Sequence, residues 1–165
     1  MGRRLTRMDT SRAIEPEVVD VAAATTAVIG AVVRAEELVG FFDRSFPRLA
    51  SVLSDQEIAI ESPAFALYHG PPAARIDLEV GFVTRRPVKP DGEVRAGSLP
   101  GGPVARLVHQ GGYDQLGASW ERLRSWIDAR GLTPSRALWE VYVIEPSPDM
   151  DPAVLRTELN WSLEG

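Results

Sequence analysis

The feature that most constrains this fold is an order of segments that occurs twice. Thr25-Thr26-Ala27-Val28-Ile29-Gly30 leads into a helical stretch, followed by Pro63-Ala64-Phe65-Ala66-Leu67-Tyr68 and Asp77-Leu78-Glu79-Val80-Gly81-Phe82. Later, Gly102-Pro103-Val104-Ala105-Arg106-Leu107-Val108 leads into a second helical stretch, followed by Ala137-Leu138-Trp139-Glu140-Val141-Tyr142 and Thr157-Glu158-Leu159-Asn160-Trp161. Tyr68 aligns with Tyr142, Glu79 with Glu158 and Phe82 with Trp161, whereas Ala66 stands where the second half has Glu140. A unit of this length repeated once predicts two similar halves packed about a pseudo-twofold axis, with a groove between them.

Periodicity supplies the elements. Residues 1–14 show no period and read as a flexible arm. Alternating or β-branched runs predict strands at 17–21, 26–33, 65–68, 78–83, 93–99, 104–109, 139–144 and 156–163. Leu38, Phe42, Phe46, Leu49 and Leu53 recur at three- and four-residue steps and predict a helix over 36–53. Pro47 should kink or split it, because proline lacks the amide hydrogen and clashes with the preceding turn. Leu116, Trp120, Leu123 and Ile127 predict a second helix over 114–130, capped by Asp114 and stopped by Gly131. Residues 15–165 then form one domain of two ββαββ units, about 15–86 and 92–165. Adjacent strands with only two long helices indicate an α+β fold with an antiparallel sheet. Both helices would cover one face, leaving the other partly open for a ligand groove between the halves.

Composition narrows the function. The chain has no cysteine, which excludes disulfides, thiolate zinc sites, iron–sulfur clusters and cysteine nucleophiles. His69 and His109 are its only histidines, and no His-Glu-x-x-His or Gly-x-Ser-x-Gly is present. Gly101-Gly102 and Gly111-Gly112 match neither a phosphate loop nor a dinucleotide fingerprint, so no metal, nucleotide or other cofactor is expected. A net charge of −5 argues against nucleic-acid backbones, although Arg3, Arg4, Arg7 and Arg12 gather in the arm, and it favours neutral or cationic ligands. No apolar run approaches the ~20 residues of a membrane span, and the start lacks the apolar segment of a secretory signal. The expectation is a cytoplasmic protein without a membrane partner. Exposed strand edges leave a homodimer open.

The second half resembles a known family. His109-Gln110-Gly111-Gly112-Tyr113-Asp114-Gln115-Leu116, a helix carrying Trp120 and Trp126, Gly131-Leu132, Trp139-Glu140-Val141-Tyr142, Asp151-Pro152 and Thr157-Glu158-Leu159 occur in that order. This set resembles the GyrI-like small-molecule-binding domain, which is also the effector-binding half of the BmrR and Rob type transcription regulators. The resemblance spans about 15–163. It implies a domain that binds hydrophobic, often cationic, drug-like molecules between its halves, with a glutamate at the base of an aromatic pocket. Glu140 is the position that fits. Some stand-alone members look like hydrolases of cyclopropane-bearing alkylating natural products, and others resemble gyrase modulators. Where the family often has an aromatic residue and a proline near its end, this chain has Asn160 and Ser162. The chain leaves no room for the regulators' helix-turn-helix domain, so direct nucleic-acid binding is not expected.

Strand alternation puts Glu140, Tyr142 and Ile144 on one face and Trp139, Val141 and Val143 on the other. The second set reads as core under the helices, leaving Glu140 and Tyr142 toward the open groove. A carboxylate among aromatic rings can attract a cation, and partial burial would raise its pKa enough for acid–base work. Glu140 is thus the candidate ligand-binding residue, and the catalytic one if the protein is an enzyme; the alternative is a solvated glutamate on an open sheet. Tyr68, Tyr142, Tyr113 and Trp161 are the candidate walls, against packing roles only. Trp120 reads as core and Trp126 as exposed or at a partner surface. Glu79 and Glu158 would form either a paired acid and base or separate surface positions. Three functions stay open: binding of a hydrophobic or cationic small molecule, hydrolysis of a reactive electrophile, and modulation of a protein such as a topoisomerase. The last would use the acidic linker at 145–151.

Overall fold

The computed structural model describes residues 15–70, 73–144 and 149–164. The arginine-bearing arm and residues 145–148 of the acidic linker lie outside the described residues. The elements run β1 (Glu17–Val21), β2 (Ala24–Arg34), α1 (Leu38–Asp55), β3 (Phe65–His69), β4 (Arg75–Val83), β5 (Arg95–Leu99), β6 (Gly102–Gln110), α2 (Leu116–Ala129), β7 (Pro134–Tyr142) and β8 (Arg156–Leu163). The fold is α+β: one eight-stranded sheet in the order β1-β6-β8-β7-β3-β4-β2-β5, antiparallel throughout, with two helices. Among the described residues no helix is long and apolar enough to cross a membrane.

The strand order has an internal symmetry. Exchanging β1 with β5, β2 with β6, β3 with β7 and β4 with β8 returns the same order read from the other edge. That is the order two ββαββ units would give if they swapped their first strands. Register follows suit. Ala66 pairs with Glu140 across the central β3–β7 ladder, Leu67 pairs with Glu79 as Val141 pairs with Glu158, and Tyr68 lies one pair beyond Leu67 as Tyr142 lies beyond Val141.

Chain connectivity forces the sheet to curl. From Val21 to Ala24 there are three Cα steps, at most ~11 Å, yet β1 and β2 are six strand spacings apart, ~29 Å in a flat sheet. Leu99 and Gly102 face the same requirement. The two linkers meet where the sheet bends back: a Cβ on Gly101 would lie 2.7 Å from the Ala23 backbone nitrogen, so only glycine fits there. Curling gives the sheet two buried faces. The concave one gathers Val28, Phe65, Leu67, Leu99, Val104 and Trp139, with Val21, Ala24 and Val141 packed against them. The convex one holds the main core, where Ile29, Leu78, Val80, Leu107, Leu138 and Leu159 meet Phe41, Leu49, Val52, Leu123 and Ile127 of the helices.

This overturns one expectation. Trp139 and Val141 lie on the face away from the helices, and Glu140 and Tyr142 lie beneath them. Alternation sorts a strand into two faces, but when both are apolar it does not say which one the helices cover. The helix readings shift as well. Pro47 sits inside α1 without splitting it; it lies on the exposed side, where the carbonyl it leaves unpaired can turn to water. The buried face of α1 is Phe41, Ser45, Leu49, Val52 and Leu53, so Phe42 and Phe46 are displaced to a half-buried flank. Asp114 does not cap α2; it lies in a 3₁₀ turn, Tyr113–Gln115, ahead of the helix.

Candidate functional site

Glu140 occupies β7 at the centre of the sheet, opposite Ala66, and is 5% exposed. Its Oε1 accepts hydrogen bonds from the Tyr142 hydroxyl at 2.8 Å and the Tyr68 hydroxyl at 3.1 Å. Its Oε2 accepts from Trp120 Nε1 at 2.7 Å. The geometry follows from local structure. Tyr142 is two residues along the same strand and so on the same face, and Tyr68 comes from the neighbouring β3. Trp120 reaches down from the second turn of α2. Both halves of the chain therefore meet at this carboxylate. Among the described residues no lysine or arginine forms an ion pair with it.

Burial pushes the Glu140 pKa up, and the three donors together with nearby His109 pull it down without cancelling the rise. Burial and the Glu140 charge hold Tyr68 and Tyr142 well above the usual phenol value, so both remain donors. The carboxylate thus has three hydrogen-bond donors but, among the described residues, no lysine or arginine paired with it.

Aromatic rings surround it. Tyr142 contacts Phe42 of α1 at 6.0 Å between centroids and, edge-on, Tyr113 at 6.0 Å. Phe42 continues to Phe46 at 5.8 Å, and Phe46 meets Phe82 of β4 edge-on at 5.7 Å. On the other side Trp120 meets Trp161 of β8 edge-on at 5.8 Å. Phe42, Phe46, Phe82, Trp120 and Tyr142 are half-buried and Tyr113 is exposed, so the ring cluster beside Glu140 extends out to the surface. The structure brings Tyr68, Tyr142 and Tyr113 to Glu140 directly or through a shared ring, while Trp161 lies beneath Trp120 and is buried. Sequence reasoning placed Phe42, Phe46 and Trp120 in the core. Their half of the signal was present, since Phe42 and Trp120 hold matching places in the repeated order.

Two further polar groups border the cluster. His109 is buried; its Nε2 faces the Gly112 carbonyl, which can only accept, at 2.8 Å, and its Nδ1 lies 2.7 Å from the Ser119 hydroxyl. It therefore ties the first turns of α2, and Trp120 with them, to β6. Thr157 pairs with Tyr142 on one side and His109 on the other, and its buried hydroxyl has no partner among the described residues.

The remaining candidates lie elsewhere. Glu79 is buried rather than exposed, with Arg95 at 2.9 Å and His69 at 3.5 Å. Glu158 pairs with Arg106 at 3.4 Å. The two carboxylates sit three strands apart, each with its own arginine, and form no acid–base pair. Asn160 is buried on the concave side, accepting from Arg106 Nε at 2.8 Å and donating to Glu158 at 3.2 Å. The departures at Asn160 and Ser162 thus fall on the face opposite Glu140. Trp126 is half-buried against the core, under the Arg130 guanidinium at 4.6 Å. A shallow hollow of about 390 Å³ opens on the concave side beside Trp139, Val141 and Leu99, away from Glu140.

Comparison with known proteins agrees with this architecture. The chain is similar to the C-terminal domain of EcmrR, with a TM-score of 0.80 at 18% identity over 91% of this chain and 97% of that one. In a complex of EcmrR with DNA the TM-score is 0.81 at 18% identity; 99% of this chain is covered, and it spans 63% of that EcmrR chain. It is also similar to SAV2435 bound to tetraphenylphosphonium, at 0.64 and 15% identity over 92% of this chain and 94% of that one. A hydrolase from Listeria innocua matches at 0.62 and 10% identity, covering 97% and 98%. At these identities the likeness is one of fold. No curated protein matches by sequence. The sequence matches the GyrI-like small molecule binding domain over residues 14–163, nearly its whole length, and the chain belongs to that family.

Proposed function

We propose that this domain binds a lipophilic cation in the aromatic groove between α1 and α2, with Glu140 supplying the negative charge at its floor and Tyr68, Tyr142, Tyr113, Phe42 and Trp120 its surroundings. The observation that carries this is a buried carboxylate, hydrogen-bonded on both oxygens, with no basic ion-pair partner among the described residues. Keeping such a charge out of water is costly unless something compensates it. A cation that arrives with aromatic or alkyl bulk does so while burying its own apolar surface on the rings. Tetraphenylphosphonium, seen on the structurally similar SAV2435, is the natural first probe. At a hundredfold excess over Kd it should raise stability by about 2.7 kcal/mol, or a melting temperature roughly 5–11 °C higher. Triphenylphosphine oxide, neutral and similar in shape, should shift it much less. Equal shifts from both would remove charge recognition from the proposal.

The pH dependence has a definite sign. The folded-state pKa of Glu140 lies above the ordinary value of 4.5. The unliganded protein therefore loses stability as pH rises from the unfolded value through the folded one. A cation favours the ionised carboxylate, so its affinity rises as pH climbs to the folded value and then levels off. Calorimetry in buffers of different ionisation enthalpy should show proton release on binding within the window. A flat profile that matches Glu140→Gln would show that Glu140 does not titrate on binding.

A second reading has one observation in its favour: burial that raises the Glu140 pKa suits a carboxyl that both takes and returns a proton. Hydrolysis of a strained, cyclopropane-bearing electrophile is the reaction to test. Turnover by the wild type that is lost in Glu140→Gln while binding persists would select this reading, and no turnover of such electrophiles would discard it.

A further inference from the structure

The two walls of the groove are built alike, and one residue breaks the likeness. The 3₁₀ turns Ala35–Glu37 and Tyr113–Gln115, and the helices that follow them from Leu38 and Leu116, each stand 78 residues apart. By that spacing Phe42 corresponds to Trp120, and Phe46 to Arg124. On the sheet beneath, Phe82 on β4 and Trp161 on β8 hold matching places, each three residues beyond its glutamate, Glu79 or Glu158. On the α1 side Phe46 covers Phe82 edge-on at 5.7 Å. At the corresponding place on the α2 side, the Arg124 guanidinium lies over the Trp161 ring, 5.6 Å from its centroid. One wall presents ring on ring, the other cation on ring.

We propose that the face of Trp161 is a second subsite of the groove, for an aromatic or quaternary cation, and that Arg124 is its resident plug. The idea rests on reading the groove as a cation site. An indole face is the best aromatic partner for a cation, and here the protein's own cation already holds it. Arg124 is tethered lightly: its Nε meets Asp128 at 3.3 Å across one helical turn, with side chains 49% and 59% exposed. Exposed pairs of this kind stabilise weakly, so the guanidinium can swing into water at little cost. Doing so frees the part of the ring that the guanidinium covers; with it in place Trp161 is 6% exposed. That ring touches Trp120, which donates to Glu140, so a cation on Trp161 sits one ring away from the uncompensated carboxylate. A ligand large enough to span both walls would displace Arg124. A smaller one would sit against Phe42 and Tyr142 and leave it in place.

Calorimetric titration of tetraphenylphosphonium into wild type, Arg124→Ala and Arg124→Leu tests this. Both variants lose the charge, and only alanine uncovers the ring; both residues are good helix formers at an exposed site, so α2 should persist. The expected result is that Arg124→Ala binds roughly three- to tenfold tighter than Arg124→Leu, and tighter than wild type. Equal affinities in the two variants would mean that Arg124 acts by charge alone, and the subsite would be withdrawn. If wild type binds through Glu140 while Arg124→Ala gains nothing over Arg124→Leu, the plug fails and the groove reading stands. Binding by none of the three overturns both, whereas binding by Arg124→Ala alone upholds the plug.

Discussion

Glu140→Gln is expected to weaken tetraphenylphosphonium binding by about 2 kcal/mol or more, roughly thirtyfold in Kd, while leaving the affinity for neutral aromatics nearly unchanged. The substitution keeps the shape of the side chain and removes its charge. Cation affinity in the proposed groove draws on that charge because the carboxylate is 5% exposed and no arginine or lysine among the described residues shares it. The unliganded protein should tolerate the change. Glutamine retains one acceptor for Trp120, Tyr68 and Tyr142, and the tyrosine hydroxyls can rotate to accept from its amide. Losing the cost of a buried charge offsets the poorer hydrogen bonding. A melting curve without ligand and a titration with the cation separate the two effects. Unchanged affinity would take Glu140 out of the site.

The largest loss of stability should come from Gly81→Ala. Gly81 on β4 pairs with Val28 on β2 and Phe65 on β3. A Cβ there would run into the Ala27 carbonyl and lie 2.9 Å from Val28 Cγ1. The first obstacle is backbone, so no rotamer change relieves it; β2 and β4 must move apart just where Val28 and Phe65 close the concave core. Overpacking of this kind costs about 3 kcal/mol, a melting temperature lower by roughly 6–12 °C. Thermal unfolding of the variant checks this, and a loss under about 1 kcal/mol would mean that the sheet yields more easily than its close strand contacts suggest. Ligand binding by the surviving folded fraction should be normal, since Gly81 faces away from Glu140.

How much of this was legible beforehand differs between the fold and the site. The repeated segment order pointed to α+β with two helices and eight strands, and β1 and β8 were placed to the residue at Glu17–Val21 and Arg156–Leu163. Boundaries erred where turn chemistry competes with helix, as at Asp114, which entered a 3₁₀ turn and left α2 without a side-chain cap. The helix face of α1 was misjudged by about one position. A stripe read as Leu38, Phe42, Phe46, Leu49 and Leu53 merges two adjacent faces: Phe41 and Ser45 belong to the buried one, and Phe42 and Phe46 to its flank. Apolar periodicity reports where oily side chains cluster and is silent on whether a small polar residue such as Ser45 shares their burial.

The sequence by itself set out an order of segments that occurs twice, with Tyr68 answering Tyr142 and Ala66 standing where the second occurrence has Glu140, at the same spacing. Only the tertiary structure decided which side of the sheet that carboxylate faces and what meets it there. Two-residue linkers between distant strands force the sheet to curl, curling buries both of its faces, and two apolar faces look alike to a period of two. Once the helices settled on the convex side, Trp120 could reach Glu140 and Arg124 could cover Trp161, contacts between residues 20 and 37 positions apart that no local pattern encodes.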